Sequence, residues 1–308
     1  MPGPKTGLAV RDVAVHTNLN IFGLPNKILE ANPLPPDPFE LSNDLWMGKI
    51  DAEAAKLTLE LGESDYYGTP KPVRQDAQLY SFVREKDTFA ATYQWDEDSR
   101  LQTCVAVSRL VQPTTISLRY ASRIRYNSDS SISDISPANI RGVAIDTFLA
   151  TPPERDWLTE ADALRLRGLI QKLYSSPLPE RASRALWYHE YAVRTYYIEI
   201  RWVLVATGLE ALIQAGHERS TRRFKCRVSQ LASELGVTGL GISEATRAYQ
   251  HRSTLAHGQQ FGQLSSPDRE LYQSMEKTLR LAILRAIEDD AFASVLKDSH
   301  KIKARWPI

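Results

Sequence analysis

The sequence predicts an α+β protein, with a β-rich N-terminal region over residues 1–150 and an all-α helical bundle over 151–308. Three observations predict it. Between Phe89 and Tyr126, apolar residues alternate with polar or small ones, which is the period of a half-buried strand. After Thr151-Pro152-Pro153, apolar residues recur at three and four positions, the period of a helix packed on one face. Breakers such as Ser175-Ser176-Pro177-Leu178-Pro179 then punctuate the helical part at short intervals.

Composition bounds the function classes. The chain has 308 residues, 43% apolar and 24% charged, with a net charge of +1. It is no polycation, so any nucleic-acid contact must come from a local patch. Cys104 and Cys226 are the two cysteines, which is neither a disulfide framework nor a zinc pattern, so no metal is assigned. No apolar run is long enough to span a bilayer, and Met1–Gly7 lacks the apolar core of a signal peptide. A soluble, cytoplasmic protein without a membrane partner is the expectation.

The elements follow in order. Asn32–Pro38 is a proline-rich extended loop. Residues 51–62 fit a helix or a strand. Phe89–Trp95 and Leu101–Val111, joined by Asp96-Glu97-Asp98-Ser99, read as a hairpin. Thr115–Tyr126 reads as a third strand. Ile116, Leu118, Tyr120, Ile124 and Tyr126 fall on one face, and Arg119, Arg123 and Arg125 on the other, as a solvated row or an RNA track. Asn127–Ser136, rich in Ser and Asp, reads as a loop.

Thr159-Glu160-Ala161-Asp162 resembles a capping box and starts a helix that reaches about Tyr174. A single long helix is expected over residues 182–215. Tyr196, Ile200, Val203, Thr207, Glu210 and Gln214 form one stripe on it, flanked by Tyr197, Leu204 and Ala211. Ser220 caps the next helix and Gly236 stops it. A helix from about Ser243 carries Ala245, Ala248, Tyr249, Arg252, Leu255 and Ala256, and Gly258 ends it. Pro267 opens another, with Leu271, Met275, Leu279, Ala282, Ile283 and Ala286 on its buried face. A short helix over 290–297 and a basic tail close the chain. Four or five such helices suggest an up-down bundle.

Glu210 and Arg252 are both charges on apolar stripes, and burying either is costly without a partner. They are expected to face each other, or else to meet separate partners. His257 lies five residues after Arg252, about 140° around the helix. A histidine in a last turn either exchanges protons near neutral pH or bonds free carbonyls. Arg219, Arg222, Arg223, Lys225 and Arg227 form a basic run at a helix N-terminus. It is either an RNA backbone contact or a solvated face.

Arg201-Trp202-Val203-Leu204-Val205-Ala206-Thr207-Gly208-Leu209-Glu210-Ala211-Leu212, followed by Tyr249-Gln250-His251-Arg252-Ser253-Thr254-Leu255-Ala256-His257-Gly258, resembles the HEPN superfamily, in particular its Apea-like branch. The likeness covers roughly residues 180–295 and rests on the order of these helices around an R-x4-H motif. It implies a metal-independent endoribonuclease that needs no cofactor and works as a homodimer through the HEPN domain. His257 would be the acid or base at a ribose 2′-hydroxyl. Arg252 would hold the scissile phosphate, with Glu210 and Ser253 supporting. Ser253 stands where active members often carry Asn, Asp or His. Antiviral defence, abortive infection or a toxin system is the implied setting. The alternative is a non-catalytic module that binds RNA, nucleotide or a partner protein.

Overall fold

The computed structural model describes residues 10–20, 30–50, 52–64, 79–86, 95–116, 120–137, 149, 155–213, 220–257 and 265–308. The protein is α+β, with its strands in the N-terminal part and helices after it. Contacts divide the chain into two units, residues 1–147 with 153–171, and 148–152 with 172–308.

The first unit holds an antiparallel sheet of strands β1 (Val10–Asn20), β2 (Phe39–Ser42), β3 (Leu45–Lys49), β4 (Leu79–Lys86), β5 (Ala121–Tyr126) and β6 (Ile132–Pro137), in the order β2-β3-β4-β1-β5-β6 among the described residues. Val13 sits opposite Val83 on β4 and Ser122 on β5. Helix α1 (Ala52–Ser64) covers that row, packing Ala54, Ala55 and Leu59 against Val13, Val83, Tyr120, Ile124 and Tyr126. The Thr58 and Ser122 hydroxyls meet at 2.5 Å, so both buried polar groups are satisfied.

Several expectations change here. Residues 51–62, open between helix and strand, belong to α1. Leu101–Val111 is not a strand but most of helix α2 (Trp95–Val111). Its Leu101, Cys104, Val105, Ala106, Val107 and Leu110 are all buried, so over 104–110 no exposed stripe reveals a 3.6-residue period. The partner strand expected at 89–94 lies outside the described residues. The third strand is shorter than expected, running over 121–126, while Ile116 is buried ahead of it. Leu118 and Arg119 lie outside the described residues. The arginine row is not solvated at Arg123, whose Nε donates to buried Asp12 at 2.7 Å. The Ser/Asp-rich stretch is a turn over 127–131 leading into β6, which β5 recruits by pairing Ile124 with Ile135.

Helix α3 (Glu160–Ser175) begins as expected. The Thr159 amide and hydroxyl both donate to Asp162, at 2.9 and 2.8 Å. The long helix expected over 182–215 is two, α4 (Glu180–Val193) and α5 (Ile198–Ile213), broken at Arg194–Tyr197. After them come α6 (Ser220–Glu234), α7 (Ile242–Ala256), α8 (Ser266–Glu288), α9 (Asp290–Lys297) and α10 (Ser299–Arg305). The second unit therefore has more helices than the four or five expected. Gly236, at φ +69°, turns the chain out of α6 in the left-handed conformation that other residues adopt at a cost.

The core of this unit forms where α5 meets α4, α7 and α8. Trp202, Val205, Ala206, Leu209 and Leu212 are buried on α5, and Val205, Leu209 and Leu212 each contribute roughly 1.5–3 kcal/mol. Gly208 lets α8 approach closely, since a Cβ there would lie 2.8 Å from Leu279 Cδ2. Among the described residues no helix is long and apolar enough to cross a membrane.

Candidate functional site

Helix α7 is built to sit close against its neighbours. Its buried residues are the small Ala245 and Ala248, and the Trp202 indole of α5 donates to the Ala248 carbonyl at 3.1 Å. That bond fixes the register of α7 on α5. Tyr249, next along, places its ring 5.2 Å from Phe224 of α6 and donates its hydroxyl to Ser220 Oγ at 2.8 Å.

Arg252 follows three residues later, one turn along the same face. Its guanidinium lies 5.9 Å from the Tyr249 ring centre, and Nη2 donates to Glu210 Oε2 at 3.1 Å. The two charged residues expected to face each other do so. Neither is fully enclosed, with 28% of the Arg252 side chain and 17% of Glu210 exposed. Arg252 Nε is buried and meets no acceptor among the described residues. Burial raises the Glu210 carboxyl more than Arg252 lowers it, so its pKa sits above the usual carboxylate range.

His257 is the C-cap of α7. Its amide donates to the Ser253 carbonyl at 3.1 Å, and the residue is exposed. Among the described residues no contact joins the His257 ring to Arg252 or Glu210. Ser253 is half-buried. Gly258, expected to end the helix, lies outside the described residues.

The basic run separates by environment. Arg222 is exposed at the start of α6, and Arg223 and Lys225 are half-buried. Arg219 lies outside the described residues. Arg227 is buried, donating Nε to the Trp306 carbonyl and Nη1 to the Ile213 carbonyl, each at 3.0 Å. Desolvation, then Arg223, hold its pKa below the usual arginine value. Arg227 fastens the C-terminus to α5 and has no surface to offer a nucleic acid.

His251 stands beside Arg252 on α7 but was assigned no role from the sequence. It packs edge-on against Trp202, with ring centres 5.1 Å apart, and places Nε2 3.1 Å from Asp268 Oδ1. Burial pushes Asp268 up, but the Ser265 hydroxyl, His251 and Arg247 outweigh it and hold the carboxyl below its usual range. Tyr249 was also missed as the platform under Arg252. Its signal was the three-residue spacing to that arginine. His189 is buried with Nε2 2.8 Å from Glu276 Oε1. Cys104 is fully buried, which pushes its thiol up and makes it a poor nucleophile, and Cys226 is a half-buried free thiol. No set of three or more metal-ligating side chains converges among the described residues.

No family model, no curated protein and no solved structure matches this chain.

Proposed function

We propose that this protein is a metal-independent endoribonuclease of the HEPN type, acting on RNA as a homodimer in antiviral defence, abortive infection or a toxin system. The observation that carries it is the ion pair of Arg252 with Glu210, one helical turn and a half before the exposed His257. An arginine held at one edge by a carboxylate is oriented before substrate arrives. Its remaining donors keep the planar fork that suits phosphate oxygens.

In the proposed reaction His257 takes the proton of a ribose 2′-hydroxyl, and that oxygen attacks the adjacent phosphorus. Arg252 stabilises the charge growing on the phosphoryl oxygens. The bond to the 5′ oxygen breaks, and that oxygen leaves as a hydroxyl with the proton that His257 accepted. The products are a 2′,3′-cyclic phosphate and a 5′-hydroxyl, with no redox change. Ser253 and Glu210 support the arginine, and Arg222, Arg223 and Lys225 supply backbone contacts to RNA.

Incubating the full chain with RNA under a chelator tests this. Cleavage that disappears in His257→Ala supports the nuclease. RNA binding without cleavage in the wild type replaces it with a non-catalytic binding module.

A further inference from the structure

Helix α4 carries its large rings outward. Its buried residues are Ala182, Ala185, His189, Glu190, Ala192 and Val193, so mostly small side chains face the core. Trp187 and Tyr191, one turn apart, are 41% and 43% exposed. Large rings gain far more from burial than alanine does, so packing alone would place them inside. Nor are they isolated. Among the described residues, four of the five exposed aromatic side chains lie between residues 187 and 197, since Tyr196 and Tyr197 follow in the break before α5.

Trp187 and Tyr191 form a platform. Their ring centres are 5.8 Å apart and their planes are inclined by 28°, a stacked pair. Each ring holds the other across one helical turn, so little side-chain freedom is left to lose when a ligand stacks on them. The Thr195 hydroxyl donates to the Tyr191 carbonyl at 2.7 Å and fixes the end of the helix.

Cations bracket the rings. Arg184 stands three residues before Trp187, and Arg194 three after Tyr191. At 100° per residue all four fall within about 80° of the helix circumference, and the two arginines are about 15 Å apart along its axis. Arg184 is exposed, and its ion pair with the equally exposed Glu180 holds it weakly. Arg194 Nε is buried and meets no acceptor among the described residues. Over residues 181–198 the one acid is Glu190, which is buried.

This pattern selects the occupant. An apolar partner would desolvate both guanidinium groups without pairing them. Nucleobases stack on aromatic faces and carry phosphates that suit the arginine forks. Bases inside a duplex hide their faces in the stack, so only an unpaired strand can use the rings.

We infer that the outer face of α4 is a stacking strip for the unpaired bases of RNA, with Trp187 and Tyr191 taking bases and Arg184 and Arg194 the flanking phosphates. This rests on RNA as the ligand in the proposed function. It adds a contact surface on a different helix from Arg252 and from the cations of α6.

The test uses a short oligoadenylate methylated at every 2′-hydroxyl, which can bind but cannot be cut by 2′ attack. Affinity is read by anisotropy of an end label and stacking by quenching of tryptophan emission. Wild type is expected to bind the single strand with quenching, and the same strand annealed to its complement far more weakly. Trp187→Ala is expected to lose most of the quenching and about tenfold in affinity, and Tyr191→Ala about tenfold in affinity. Trp187→Phe keeps a ring face and most of the affinity. Both positions are exposed, so the melting curves of these variants should match wild type. Arg184→Ala is expected to lower the salt slope by about 0.7. Equal affinity for single strand and duplex, absence of quenching, or wild-type affinity in Trp187→Ala would overturn the strip. Failure to bind either nucleic acid would also overturn it and leave the rings to a protein partner. Cleavage is scored separately on unmethylated RNA. Trp187-dependent binding of the methylated strand without cleavage of the unmethylated one removes the nuclease and keeps the strip. Cleavage by a wild type whose binding does not depend on Trp187 does the reverse.

Discussion

Arg252 and Glu210 are joined by a 3.1 Å hydrogen bond between two helices that are 42 residues apart in the chain. Burial disfavours the carboxylate by more than the guanidinium favours it, so the pair orients Arg252 at a net cost to the charged form of Glu210.

That balance ranks two substitutions. Glu210→Gln removes the buried charge but keeps an acceptor for Arg252, and should cost about 1 kcal/mol or less. Arg252→Ala leaves the carboxylate without its counter-ion and should cost more, roughly 2–3 kcal/mol. The sign with pH follows. A carboxyl whose folded pKa is raised gives stability below its unfolded pKa and loses it as pH rises through the folded one. Arg252→Ala raises Glu210 further, so its deficit in melting temperature against wild type should widen from about pH 4 to about pH 7. Equal deficits across that range would contradict this.

The His189–Glu276 pair behaves in the opposite sense. Burial raises the Glu276 carboxyl, but the His189 hydrogen bond and charge, with Arg280, outweigh it and hold the pKa below the usual value. Its stabilising share is present above the unfolded pKa and is lost as pH falls through the folded one. Glu276→Gln should therefore lower the melting temperature at neutral pH, with the gap closing on acidification. A gap that stays constant in acid would remove the pair as a source of stability.

Two arginines on α6 should separate cleanly. Arg227→Met empties two buried carbonyl contacts and should cost roughly 3 kcal/mol. Arg222→Ala, at an exposed position, should leave stability unchanged. If α6 touches RNA, Arg222→Ala lowers the salt slope of binding by about one. Thermal melts and RNA titrations at several salt concentrations read both effects.

Much of the second unit was legible because its helices bury one stripe each. The Glu210–Arg252 pair could be anticipated because a charge on an apolar stripe needs a partner. Other features had no local signal. Residues 104–110 of helix α2 are all buried, so Leu101–Val111 carries the composition of a strand. The break between α4 and α5 falls on Arg194-Thr195-Tyr196-Tyr197, which has neither Gly nor Pro. There Arg201 Nε, one turn into α5, donates back to the Thr195 carbonyl and fixes the break. Strand β6 forms from residues with loop composition because β5 offers it a ladder. Arg227 looked like one of a basic run, and its acceptor on Trp306 lies 79 residues away.

The central claim is that Arg252 and His257 together cleave RNA. The most direct measurement compares purified wild type with His257→Ala on total RNA in the presence of a chelator, with end-group analysis of the products and a melting curve for each protein. The account predicts fragments ending in 2′,3′-cyclic phosphate from wild type alone, at equal melting temperatures. Equal cleavage by both proteins, or none by a folded wild-type dimer, would contradict it.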